Sequence, residues 1–281
     1  MHEISDERIA EPRNALPIGV FDSGVGGLTV LRALRERLPE EDLLYLGDMA
    51  RLPYGTKSAQ TVSRYACQAA GVLATRGIKL LVVACNTASA LALDALREHF
   101  PGLPVIGVLE PGAAAACAAT RSGRVAVIAT EGTVRGGAYV RAIQARRPEV
   151  QVSATACPLF VSLAEEGWHT GPVVEAVARH YLEPVLEAAA PDVLVLGCTH
   201  FPVFSDTLSA LVGSGTMLVD SASTTADAVA EMLLHNRLNA ASGRIGQSHY
   251  MTTDAPERFA RVARAFLGAE QAPSRVELVD L

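Results

Sequence analysis

Long apolar runs, basic blocks and paired cysteine motifs are all missing from these 281 residues, and each absence removes a class of function. The longest apolar stretches, such as Leu80 to Cys85 and Val193 to Leu196, are of strand length, whereas a membrane-spanning helix needs about 20 such residues. Lysine and arginine number 24 against 30 acidic residues, a net charge of −6, so the positive footprint that phosphate backbones attract is lacking. Neither a membrane nor a nucleic acid is expected as a partner. Among Cys67, Cys85, Cys117, Cys157 and Cys198 no two have C-x2-C spacing, and the only close Cys/His pair is Cys198 with His200, which leaves a metal site without support. An odd number of cysteines and no export signal argue against structural disulfides. The opening MHEISDERIAEPRN carries four acids and no apolar core; it is read as a disordered leader rather than a secretory signal, and the protein as cytoplasmic.

Charged residues make up 19% and hydrophobic ones 49%, against a customary charged share of about 25%, so there is ample material for burial. The length exceeds the usual limit of about 250 residues for one core, and two lobes are expected. Short β-rich runs recur at Ile18 to Phe21, Leu43 to Leu46, Leu80 to Ala84, Val105 to Val108, Val125 to Ile128, Val193 to Leu196 and Met217 to Val219. Helical patterns lie between them, for example Leu28, Leu31, Leu34 and Leu38 on one face. Continuous rather than alternating apolar strands, each followed by such a segment, indicate an α/β protein with parallel sheets flanked by helices.

In open parallel sheets the binding crevice lies beyond the carboxyl ends of the strands. At those ends stand Asp22-Ser23-Gly24-Val25-Gly26-Gly27, Gly47-Asp48, Cys85-Asn86-Thr87 and Gly197-Cys198-Thr199-His200. The two cysteine segments, KLLVVACNTASALALDAL and DVLVLGCTHFPVFSDTL, resemble each other, which suggests two similar lobes each supplying a thiol to a shared cleft. Cys67, Cys117 and Cys157 are expected to be ordinary buried thiols. Cys85 and Cys198 are expected at helix N-termini, where unpaired N–H groups favour the thiolate. Two opposed thiols suit disulfide exchange, acyl transfer by Cys198 with His200, or stereoinversion with a base on one face of a carbon and an acid on the other.

The glycine run lacks the third glycine of the dinucleotide fingerprint, because Thr29 stands there. A turn presenting backbone N–H groups to a small anion remains the expectation, with a helix start behind it. A pyridoxal cofactor would need a Schiff-base lysine, and the chain has only Lys57 and Lys79, neither at the end of a strong strand run. No cofactor is expected. Arg51 and Arg135 are the only arginines in these loops, so neutral donors are expected to recognise the substrate.

Phe21-Asp22-Ser23-Gly24-Val25-Gly26-Gly27, Gly47-Asp48 with Pro53-Tyr54-Gly55, Cys85-Asn86-Thr87, Gly132-Thr133-Val134, Cys157 to Val161 with Glu165, and Gly197 to Pro202 together resemble the bacterial glutamate racemases in order and spacing. The likeness runs from about Pro17 to Leu267; Ser162 and Ala129 depart from it, where the family often has proline and glycine. The resemblance implies cofactor-independent interconversion of L- and D-glutamate, supplying D-glutamate for peptidoglycan. It implies Cys85 and Cys198 as the two catalytic acid/bases, with Asp22 assisting Cys85, His200 assisting Cys198, and Asp48 and Glu165 as further acidic site residues. Asp22, Ser23, Tyr54, Gly55, Asn86, Thr87, Thr133, Thr199 and His200 resemble the substrate-binding set. On the same footing the lobes are expected at 17–110 plus 222–270 and at 111–221, between a leader of 1–16 and a tail of 271–281, and a homodimer is compatible. A racemase or isomerase of the same superfamily acting on aspartate, a hydantoin or maleate is the alternative, as is a non-catalytic amino-acid-binding protein.

Overall fold

The computed structural model describes residues 12–268 and 271–281. The chain opens with β1 (Ile18–Asp22), α1 (Leu28–Arg37), β2 (Leu43–Gly47), α2 (Ala59–Thr75), β3 (Leu80–Val83), α3 (Asn86–Leu91), α4 (Leu93–His99) and β4 (Val105–Gly107). It continues through α5 (Leu109–Ala119), β5 (Arg124–Ala129), α6 (Glu131–Gly136), α7 (Ala138–Arg146), β6 (Gln151–Ala156), α8 (Pro158–Glu165), α9 (Pro172–Ala189), β7 (Val193–Gly197), α10 (Ser205–Val212) and β8 (Met217–Asp220). It ends with α11 (Ser221–Asn236), β9 (Ser248–Thr252), α12 (Pro256–Leu267) and β10 (Glu277–Leu278).

Two sheets result, in the orders β10-β9-β2-β1-β3-β4 and β6-β5-β7-β8, and every pairing in both is parallel. The runs IGVFD, LLYLG, LLVV and VLVLG are buried at every position, as strands covered by helices on both faces must be. Four strands lack that signature over most of their length; one is β8, MLVD, buried only at Val219. β6 reads QVSATA and is half-buried at the edge of its sheet, β9 reads SHYMT, and β10 is two exposed residues; short polar strands carry no apolar run to find. The strands of the first sheet come from 18–107 and 248–278, those of the second from 124–220, with α5 and α11 as the crossings.

Leu28, Leu31 and Leu34 of α1 are buried as their spacing requires. They join Val229 and Leu233 of α11 and Leu194 and Leu196 of β7 in one apolar cluster that continues from one sheet to the other. Each such side chain contributes about 1.5–3 kcal/mol on burial, so this shared core holds the two halves in register. At the amino end of β3, opposite the site, buried Lys79 pairs with buried Glu41 and donates to the Asn14 carbonyl at 2.8 Å. Of the leader expected over 1–16, residues 1–11 lie outside the described residues; the remainder is ordered, with a 3-10 turn at Arg13–Ala15. No helix among the described residues is long and apolar enough to cross a membrane.

Candidate active site

The segments that follow the carboxyl ends of β1, β2, β3, β5 and β7, together with α8, line one cavity of about 40 Å³. Ser23, Gly24, Leu52 to Gly55 and Cys85 to Thr87 come from the first lobe; Thr130, Val161, Glu165 and Cys198 to His200 come from the second. A cavity of that size accommodates a few waters at about 10–15 Å³ each, so a larger ligand enters only if the lobes or their loops part.

Cys85 caps α3. Its Sγ accepts the Ala88 N–H at 3.4 Å, and its S–H donates to Ser23 Oγ at 3.3 Å. The helix terminus was expected to favour the thiolate, and here it is overruled: burial, aided by the negative field of Asp22, pushes the Cys85 thiol up to about 12. Cys198 lies beside His200 instead, with Nδ1 3.7 Å from Sγ. No α-helix starts at Cys198; a 3-10 turn at Phe201–Phe204 intervenes before α10. Burial alone would lower His200, but hydrogen bonding and charge from Cys198 and Glu165 raise it from 6.5 to about 10. The arrangement thus sets a cationic imidazole beside the Cys198 sulfur.

Glu165 completes this side, with Oε1 3.3 Å from His200 Nε2 and Oε2 3.4 Å from Arg258 Nη2 on α12. Burial would raise the Glu165 carboxyl, yet His200 and Arg258 bring it below its ordinary value. Asp22 does not line the cavity. Its carboxylate accepts N–H groups from the Ser23–Gly27 turn, including Gly24 N at 3.0 Å, so the anion expected in that turn is the protein's own side chain. Burial raises Asp22, His200 opposes the shift, and Oδ1 is buried without a hydrogen-bond partner. Asp22 therefore acts on Cys85 through its field rather than through a hydrogen bond.

Asp48 is buried behind the wall. It accepts Tyr54 Oη–H at 2.5 Å, Arg51 Nε–H at 2.7 Å and Thr253 Oγ1–H at 2.8 Å, and so fixes the turn that carries Tyr54 and Gly55. Thr133 also stands behind the lining, within 3.3 Å of Thr87 Oγ1 and 3.1 Å of Thr130 Oγ1. Pro53 and Val161 were read within the motifs but not as site residues, and Thr130, Leu52 and Arg258 were not singled out at all. Thr130 was accessible to the sequence reading, since it directly follows β5; Arg258 carries no motif. All five cysteines are free. Cys117 and Cys157 are buried and Cys67 is half-buried, while burial pushes Cys157 up to about 12. Among the described residues no group of three or more His, Cys, Asp or Glu is placed to hold a metal ion.

The lobes meet glycine to glycine. A Cβ added to Gly132 on α6 would lie 2.7 Å from the Gly55 carbonyl oxygen across the seam, and one added to Gly55 would lie 2.8 Å from Thr130 Cβ. Backbone cannot give way at such distances, so Gly132→Ala is expected to hold the lobes apart. A displacement near 1 Å costs about 10²-fold in rate, so kcat/KM should fall by about that factor with little change in melting temperature. Unaltered kinetics would show that the seam closes without this contact.

Two parallel α/β lobes closing on a cavity with one thiol from each define a two-lobed racemase fold, and the model of the Asp/Glu/Hydantoin racemase family matches residues 19–229. The glutamate racemase of Geobacter metallireducens is 53% identical over 253 residues, covering 90% of this chain and 93% of that one. The crystal structure of glutamate racemase from Francisella tularensis in complex with D-glutamate superposes with a TM-score of 0.88 at 36% identity, over 95% of this chain and 98% of that one. The Thermus thermophilus glutamate racemase, solved with β-chloro-D-alanine, gives 0.86 at 43% identity, over 96% and 99%. This chain belongs to that family: it is an amino-acid racemase, an isomerase, and groups with the glutamate racemases.

Proposed function

We propose that this chain interconverts L- and D-glutamate by proton transfer between two cysteines, without a cofactor, and that the D-glutamate formed serves peptidoglycan synthesis. The observation that carries the reading is the placement of Cys85 and Cys198, one from each lobe, on a single cavity, each beside a different ionisable neighbour. A thiolate on one face of Cα takes the α-proton, and the electron pair left on Cα spreads into the α-carboxylate. The thiol on the other face gives its proton to Cα and becomes the thiolate. The product leaves with inverted configuration, and the two sulfurs have exchanged protonation states.

The α-proton is a weak acid because the neighbouring carboxylate is already negative, and one general base contributes about 10²–10⁴-fold. Donors aimed at the carboxylate, where charge builds up, add about 3–4 kcal/mol each in a water-excluded site. Asn86, Thr87 and Thr199 line the cavity and supply such donors without a fixed positive charge. In this reading His200 assists Cys198, Glu165 holds His200 cationic, Asp22 assists Cys85, and Asp48 positions the Tyr54 turn. Lys79, the buried lysine, is engaged with Glu41 at the opposite end of β3.

The test is incubation of the protein in heavy water with L-glutamate, and separately with L-aspartate, with no cofactor added. D-Glutamate carrying deuterium at Cα is the expected product. Exchange on aspartate alone, or binding of glutamate without exchange, would overturn the reading.

A further inference from the structure

Behind Asn86 lies a buried polar contact that the racemisation chemistry does not itself use. Tyr139 of α7, in the second lobe, donates its hydroxyl to Asn86 Oδ1 of the first lobe at 2.7 Å. Ser221, the first residue of the returning crossing helix α11, sits 3.4 Å from the same oxygen and 3.3 Å from the tyrosine oxygen. Its single proton is shared between two acceptors, the Leu196 carbonyl at 3.2 Å and Asn86 Oδ1 at the longer 3.4 Å. The Tyr139 proton is therefore the strong donor to Oδ1. Burial raises Tyr139 above its ordinary value, so the hydroxyl keeps that proton at any working pH.

The other end of the amide is different. Asn86 Nδ2 is buried and has no hydrogen-bond partner, and Asn86 lines the cavity whereas Tyr139 does not. A buried unpaired donor is costly to leave unmade. With its oxygen held by Tyr139, the amide keeps both N–H groups available to an anionic oxygen of a ligand in the cavity that Asn86 lines.

We propose that Tyr139 is a positioning residue: reaching across the lobe boundary, it fixes the Asn86 amide so that Nδ2 meets a substrate carboxylate, and does so only when the lobes are together. The proposal rests on the glutamate reading for the identity of that carboxylate. Opening the lobes separates Tyr139 from Asn86 and frees the amide to turn; closing them orients the donor at the moment the sulfurs come to bear. Substrate affinity and lobe closure are thereby linked through one hydroxyl.

Binding rather than turnover makes the decisive test, so that a chain that binds glutamate without racemising it still answers. Kd for racemic glutamate, whose composition turnover cannot change, is measured by calorimetry for the wild type, Tyr139→Phe, Asn86→Ala and the double variant, with melting temperatures alongside. Tyr139→Phe is expected to weaken binding about tenfold, near the upper end for one neutral hydrogen bond, and to cost almost nothing more once Asn86 is alanine. Equal losses in both backgrounds would show that Tyr139 acts by packing and overturn the proposal, as would unchanged affinity. Ser221→Ala is the second variant: a loss under about threefold is expected, since its contact is the longer one, and a loss matching Tyr139→Phe would move the anchor to Ser221 and overturn the assignment. Wild-type protein that does not bind glutamate would reject the functional reading itself; wild-type binding with additive variants would reject only the role of Tyr139.

Discussion

Alanine at either Cys85 or Cys198 is expected to lower glutamate racemisation by about 10³-fold, because in the proposed mechanism each sulfur is the acid/base on its own face and one such group is worth about 10²–10⁴-fold. Neither variant leaves a substitute. Ser23 is the hydroxyl in contact with Cys85, and its proton is far too tightly held for either role; His200 beside Cys198 is protonated at neutral pH and has no free lone pair with which to take the α-proton. The decisive refinement uses a glutamate carrying chloride at Cβ. Its elimination needs a base on only one face: the thiolate takes the α-proton, the electron pair forms the Cα–Cβ double bond, and chloride departs with its bonding pair. The variant that retains the sulfur facing the α-proton should eliminate chloride from one enantiomer, and the other variant from the opposite enantiomer. Full racemisation by either single variant, or elimination from the same enantiomer by both, would defeat the assignment. Circular dichroism follows the first reaction and chloride release the second.

The architecture was legible wherever burial on both faces left a mark. β1, β2, β3 and β7 are short unbroken apolar runs, and a parallel sheet under helices permits little else. β6, with Gln151, Ser153 and Thr155 on an edge, satisfies its backbone without a hydrophobic pattern. The cavity lining was legible for the same topological reason: residues just past strand ends must line the crevice, and Ser23, Cys85, Asn86, Thr87, Thr199 and His200 all do. What stayed hidden depends on side-chain packing. The Ser23–Gly27 turn looked like an anion cradle, and nothing in the order of residues shows that Asp22 folds back to occupy it. Cys85 at the start of a helix looked like a thiolate, and only its burial beside a carboxylate reverses that. Arg258 reaches Glu165 from α12, 93 residues away, a contact that no local pattern announces.

The two neighbours of the sulfurs should separate cleanly in kinetics. His200→Asn keeps a polar group near Cys198 but removes the charge, and turnover is expected to fall about 10²-fold, the scale of one lost electrostatic contact in a closed site. Because enantiomers have equal free energies, kcat/KM must fall equally in both directions, so a bare rate comparison cannot reveal which sulfur is affected. The primary deuterium isotope effect can. It should rise for the enantiomer whose α-proton faces Cys198, since that abstraction has become the slow step, and Asp22→Asn should raise it for the other enantiomer through Cys85. The pH dependence carries an independent sign. His200 is raised from 6.5 to about 10 by Cys198 and Glu165, so the stability it contributes is complete below about 6.5 and is lost as pH rises through about 10. The melting temperature of the wild type should therefore exceed that of His200→Asn most at pH 6, and the gap should narrow toward pH 10. Isotope effects that change for the same enantiomer, or for neither, in both substitutions, together with a gap that does not vary with pH, would remove His200 and Asp22 from the proton-transfer steps and leave them as structural residues.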